Sequence, residues 1–196
     1  MILDTNLLKT LEEVLEEIHP SLFKRLTIGI AKEEIDKIAS ANRVDFCEEV
    51  YDLFTWKNGV SHMGISSVEQ LLIFPDGIPF SIMEAVGVYN SHAITKQLFE
   101  PDYFPLFSDG NENILLINLD EDNAAYKTIC LYSPSLLGTG TPIPIYDSLV
   151  NLITTVIACY QKKAFWLVND CLEVDSDAHY SIASNLNPNS QYWQYM

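Results

Sequence analysis

The sequence predicts an α+β fold, a mostly antiparallel sheet with helices packed against it, and three observations support that expectation. Helical periodicity dominates before Gly59. After it, apolar runs bounded by turn clusters become frequent, and the most regularly patterned helix of the chain follows the last of those runs. The separators between the runs are short and turn-rich, so sequential antiparallel pairing is the economical topology.

The first helix sets Leu3, Leu7, Leu8, Leu11, Val14, Leu15 and Ile18 on one face and crowds Glu12, Glu13, Glu16 and Glu17 mostly on another, until His19-Pro20 ends it. Its acidic polar face suits a core or a protein partner better than a membrane surface. Residues 21–30 connect it to a second short helix over residues 31–39, with Ile35, Ile38 and Ala39 inward. The central helix begins at about Phe46. Phe46, Val50, Leu53 and Phe54 form one apolar stripe, Asp45 and Glu48 have capping-box spacing, and Trp56 precedes an Asn58-Gly59 pair expected to close the helix in the left-handed conformation.

Past Gly59, residues 68–74 are apolar and halt at Pro75-Asp76-Gly77, which predicts a short strand or extended segment. Ser81 and Glu84 repeat the capping-box spacing and open a helix to about Thr95. Residues 103–107, 113–119 and 126–132 read as three strands. Residues 133–146 hold Pro134, Gly138, Gly140, Pro142 and Pro144, and are expected to cross the surface as a loop ending at Asp147, a good N-cap. Leu149, Leu152, Ile153, Val156, Ile157 and Tyr160 then recur at helical spacing, with Lys162 and Lys163 placed to complement the helix C-terminus. Residues 175–196 are rich in Asn and Ser and predict a surface tail, with Tyr192, Trp193 and Tyr195 docking back. There are no internal repeats, and one core is expected.

Composition limits the function. The 196 residues are 48% hydrophobic and 19% charged, which fits a folded domain with a real core. Acidic side chains number 27 against 11 basic ones, a formal net charge of −16. Such a field repels nucleic acid and anionic membranes and speeds encounter with a basic protein. Solubility alone also accounts for an acidic balance. No apolar run approaches the roughly 20 residues that cross a bilayer, and no leader is evident, so a cytoplasmic location is expected. Cys47, Cys130, Cys159 and Cys171 lack metal-like spacing and read as reduced thiols, three of them among apolar neighbours.

Catalytic motifs are missing. His19, His62, His92 and His179 are scattered with no HExxH, and there is no GxSxG, GxxxxGK[ST] or GxGxxG. Asp109, Asn111, Asn113 and Asp120 occupy the first, third, fifth and twelfth places of a calcium loop, but Ile114 stands where the sharp turn needs Gly. A hairpin edge with polar turns is the favoured reading. No catalytic residue, metal, cofactor or small-molecule substrate is expected.

The order of these features resembles a known family. Tyr51 to Gly59 looks like a helix ending in a W-x-N-G type motif, preceded by the shorter helix containing Ile35. Phe104-Pro105-Leu106-Phe107, Asp109-Gly110-Asn111 and Ile117-Asn118-Leu119-Asp120 look like strand, turn and strand ending in Leu-Asp, and Tyr146-Asp147-Ser148-Leu149 opens a long helix that Tyr160 closes. The set resembles the SMI1/KNR4 superfamily, also called SUKH, over about residues 30–165. It departs at Val44-Asp45-Phe46, where Leu-Pro is usual. On that resemblance residues 1–30 are an N-terminal helix and connector, 31–165 the family domain, and 166–196 a C-terminal extension.

The resemblance implies an α+β domain without established catalytic residues. It implies an immunity protein that binds and neutralises a cognate toxin, commonly a nuclease or nucleic-acid deaminase, so a basic toxin domain is the expected partner. Trp56, Asn58, Gly59, Asp109, Gly110 and Asp120 match the family motifs and are the candidate partner-binding residues, though packing and turn formation explain them as well. A regulatory or scaffold adaptor of the same family is the second reading, and an enzyme ranks last.

Overall fold

The computed structural model describes residues 5–137 and 141–194, so Leu3, Gly138, Gly140 and Tyr195 lie outside the described residues. Helix α1 (Thr5–Ile18) buries Leu8, Leu11 and Leu15 and leaves Glu13, Glu16 and Glu17 exposed, as its periodicity requires. Pro20 does end it, and then opens a single helical turn, α2 (Pro20–Phe23), at the one place in a helix where a missing N–H costs nothing. Strand β1 (Leu26–Ile28), inside the expected connector, pairs antiparallel with β2 (Lys57–Val60). Between them lie α3 (Lys32–Asn42) and α4 (Glu48–Trp56).

The ends of α4 differ from expectation. Its N-cap is Cys47, extended and without a side-chain cap, so Asp45 and Glu48 form no capping box. At the other end Lys57 is already extended (φ −143°), and the chain runs straight into β2. Asn58-Gly59 therefore does not close the helix. Pairing with β1 draws the chain out of helical conformation two residues earlier, and Asn58 and Gly59 serve a different junction, described below.

Residues 68–74 are no strand: Val68–Leu71 is a 3-10 turn, and Leu71, Ile73 and Phe74 point into the core. A short apolar run with no partner strand settles on local bonds such as Gln70 N–H to Ser67 O (3.3 Å). The Ser81–Glu84 capping box is present and opens α5 (Ile82–Tyr89), which widens into a π-helical turn over Asn90–Thr95.

The main sheet is an antiparallel meander of β3 (Ile78–Pro79), β4 (Tyr103–Ser108), β5 (Ile114–Asn118), β6 (Ile129–Tyr132) and, beyond a helical turn α6 (Pro134–Leu137), β7 (Ile143–Tyr146). The expected surface loop thus contains a fifth strand, with Ile145 and Tyr146 buried. The third expected strand begins at Ile129 because Asn123 and Ala125 hold the preceding residues in turns. In β4 the register slips at Leu106: Phe104 faces Ile117 and Phe107 faces Leu115. Paired residues share a face, so this bulge puts two phenylalanines three residues apart on the same side. Every position of β5 and β6 is buried, which for alternating side chains requires cover on both faces.

Helix α7 (Leu149–Gln161) is capped by Ser148, whose hydroxyl accepts the Asn151 N–H, and not by Asp147. Asp147 instead accepts from the backbone and side chain of Asn189. The hairpin β8 (Phe165–Val168) and β9 (Cys171–Val174) follows, then α8 (Ser176–Leu186). The expected tail is thus a helix packed on α7, with α1 also against α7 and α5 on β4. Trp193 docks as expected: it is 7% exposed, its indole N–H donates to the Ile145 carbonyl, and its ring meets Tyr146, His179, Tyr180 and Tyr192. Leu15, Phe54, Phe104, Leu152 and Ala183 belong to one continuous core. Among the described residues no helix is long and apolar enough to cross a membrane.

Candidate functional site: an acidic groove beside Arg43

Helix α3 ends at Arg43, which takes the left-handed conformation (φ 56°) usually left to Gly or Asn and turns the chain sharply towards α4. The turn is closed by Val44 N–H to Ala39 O (3.1 Å). Val44 is buried beneath it, and Phe46 packs edge-on against Phe104 of the sheet, with ring centroids 4.6 Å apart. The segment joining α3 to α4 is therefore anchored to the core at two points while Arg43 and Asp45 stay exposed.

A cavity opens on each side of this segment. One, of about 310 Å³, is lined by Asp36, Ser40, Arg43, Asp45, Phe46 and Tyr51. The other, of about 200 Å³, lies between the segment and the end of the sheet, against Tyr89, Pro101, Asp102 and Leu119. Arg43 and Asp45 border both.

Carboxylates surround the segment, and they add to the effect of burial on the nearby titrating groups. Burial, a 2.7 Å hydrogen bond donated to Asp36 and the charges of Asp36 and Asp45 push the Tyr51 hydroxyl up to about 12. Burial and Asp102 raise Tyr89. Burial raises Tyr103 too, helped by Cys130, Asp120, Asp102 and Glu100. Burial and the neighbours Glu48 and Glu49 raise the Asp52 carboxyl against the pull of Lys32. A groove with an apolar floor, aromatic walls and carboxylates at the rim favours a cation over an anion.

Behind α4, Glu49 is 6% exposed and pairs with Lys127 (2.9 Å) on the connection between β5 and β6. Burial pushes the Glu49 carboxyl up, but its bonds to Lys127, its own backbone and Cys47 outweigh that and hold it below its ordinary value. The pair ties the helix that carries Tyr51 to the sheet.

The residues singled out from sequence do not converge. The Asn58 side chain accepts the Ile82 N–H (2.8 Å) at the start of α5. Gly59 (φ 81°) passes so close to α5 that a Cβ there would sit 2.4 Å from the Ser81 nitrogen. Together they fasten β2 to the helix N-terminus. Trp56 is half-buried beside Leu11, Leu53, Phe107 and Ile153. Asp109 Oδ1 accepts the Asn111 and Asn113 N–H groups and is spent on the turn between β4 and β5. Gly110 (φ 82°) sits under Val68 in the same turn. Asp120 accepts the Asp122 N–H and follows Leu119, which lines the smaller cavity. Among the described residues no three His, Cys, Asp or Glu side chains are grouped to hold a metal.

Asp36, Arg43, Asp45 and Tyr51 were not among the candidate partner-binding residues. Asp45 and Tyr51 have ordinary roles in a helix pattern, and only the tight α3–α4 turn brings Asp36 to them. Compared with known protein families and with curated proteins, the sequence matches none.

Proposed function

We propose that this protein is a non-enzymatic binding module, an immunity-type inhibitor in the cytoplasm that captures a basic, nucleic-acid-targeting toxin domain. The observation that carries the reading is the acidic groove beside Arg43, set in a chain of net charge −16. A domain that handles nucleic acid presents cations to its substrate, and an acidic surface attracts it from a distance and covers the same cations. The order of short motifs resembling the SUKH superfamily supports the same reading.

The test is direct. The gene beside this one is cloned, and its product is checked for a basic domain whose toxicity this protein relieves. Salt-sensitive binding together with relief of toxicity supports the proposal. A neighbouring product that is not toxic, or that this protein does not bind, favours the regulatory adaptor.

A further inference from the structure

Resting on that reading, we infer that the larger cavity beside Arg43 is a recognition pocket for an arginine side chain of the basic partner. Its volume, about 310 Å³, lies at the low end of small-ligand pockets and suits one long side chain with its flanking backbone. The two carboxylates at its rim, Asp36 and Asp45, are exposed, flank the α3–α4 turn in sequence, and outnumber the one cation on the lining, Arg43, which is itself exposed. No ion pair holds either of them among the described residues. Asp36 accepts one hydrogen bond, from Tyr51, through Oδ1. A planar guanidinium bonds a carboxylate with two parallel N–H groups and stacks on aromatic rings, whereas an ammonium does neither as well.

The walls match the second requirement. Phe46 and Tyr51 line the cavity and meet edge to face, 6.2 Å between centroids. The chain already uses this wall for a cation of its own: the Lys32 ammonium lies 5.0 Å from the Tyr51 ring centroid. The pocket is also preformed. Ala39 and Val44 at its floor are buried, and Phe46 is locked against Phe104, so little ordering is needed on binding.

The full chain is titrated with acetylated, amidated hexa-arginine and hexa-lysine at low salt, with amide NMR shifts and calorimetry as readouts. The inference predicts shifts concentrated in residues 36–51, with hexa-arginine binding at least about threefold tighter than hexa-lysine. Asp36→Asn/Asp45→Asn weakens hexa-arginine about tenfold, while Glu16→Gln/Glu17→Gln, an equal charge change on exposed α1 sites, changes it by less than about twofold. Equal losses from both double variants, or equal binding of the two peptides, overturn the pocket and leave only a diffuse acidic field. Against the toxin domain itself, binding that ignores Asp36→Asn/Asp45→Asn overturns the pocket but keeps the proposed function. No binding of the toxin overturns the function but leaves the peptide result standing.

Discussion

Acidification will weaken this fold through His179, and the size of the effect follows from where that ring sits. His179 on α8 lies edge-on between Phe165 (5.0 Å) and Trp193 (5.2 Å), and burial alone drops its pKa from 6.5 to about 4. As pH falls below 6.5 the unfolded chain takes up a proton at this position and the folded chain does not, so stability falls. The loss ends near pH 4, where the folded form also binds the proton. At about 1.4 kcal/mol for each tenfold in proton affinity, the whole window is worth roughly 3 kcal/mol.

Burial also lowers His19, against the pull of Asp170, so the measurement is a difference. Urea unfolding free energies are recorded across the window for the natural chain and for His179→Phe, whose ring suits an aromatic cage and cannot titrate. The natural chain should lose about 3 kcal/mol more than the variant between pH 6.5 and 4. A constant difference across the window would show that His179 is solvated, and with it that α8 and Trp193 are not docked as described.

Three other substitutions test the packing. Gly59→Ala forces a side chain into 2.4 Å contact with the Ser81 backbone at a left-handed φ, and should cost at least about 2 kcal/mol by urea unfolding. Lys127→Met leaves Glu49 buried without its cation and should cost about 3 kcal/mol. Adding Glu49→Gln should restore most of that, which a double-mutant cycle reads directly. Trp193→Ala removes a buried ring and its bond to Ile145, and should lower stability by about 3 to 5 kcal/mol with lost near-ultraviolet dichroism.

Much of the fold was legible where periodicity and turn chemistry agree. The amphipathic stripes of α1 and α7, the Ser81–Glu84 box and the order of β4, β5 and β6 all follow from local pattern. What escaped depends on distant partners. The strand β7 is one proline among three apolar residues until β6 lies beside it, and β1 and β2 are strands only as a pair. Nothing in the spacing of Phe104 and Phe107 announces the bulge that aligns them. The Asn and Ser content of the tail concealed α8, where Asp175 caps the helix and Ile182 and Ala183 are buried.

The candidate site was less legible still, for a related reason. Residues rich in motif character, such as Asn58, Gly59, Asp109 and Gly110, turned out to be bound up in junctions and turns. Residues of ordinary character formed the groove, because its walls come from two helices whose approach is set by one left-handed residue, Arg43. Charge, by contrast, is plain from composition alone.

That charge makes the decisive measurement a kinetic one. If the proposed capture is right, stopped-flow association of this protein with a basic toxin domain that it neutralises, recorded from about 20 mM to about 500 mM salt, should show a rate that falls at least about tenfold as the field is screened. A rate indifferent to salt would contradict electrostatic capture, however tight the complex proved to be.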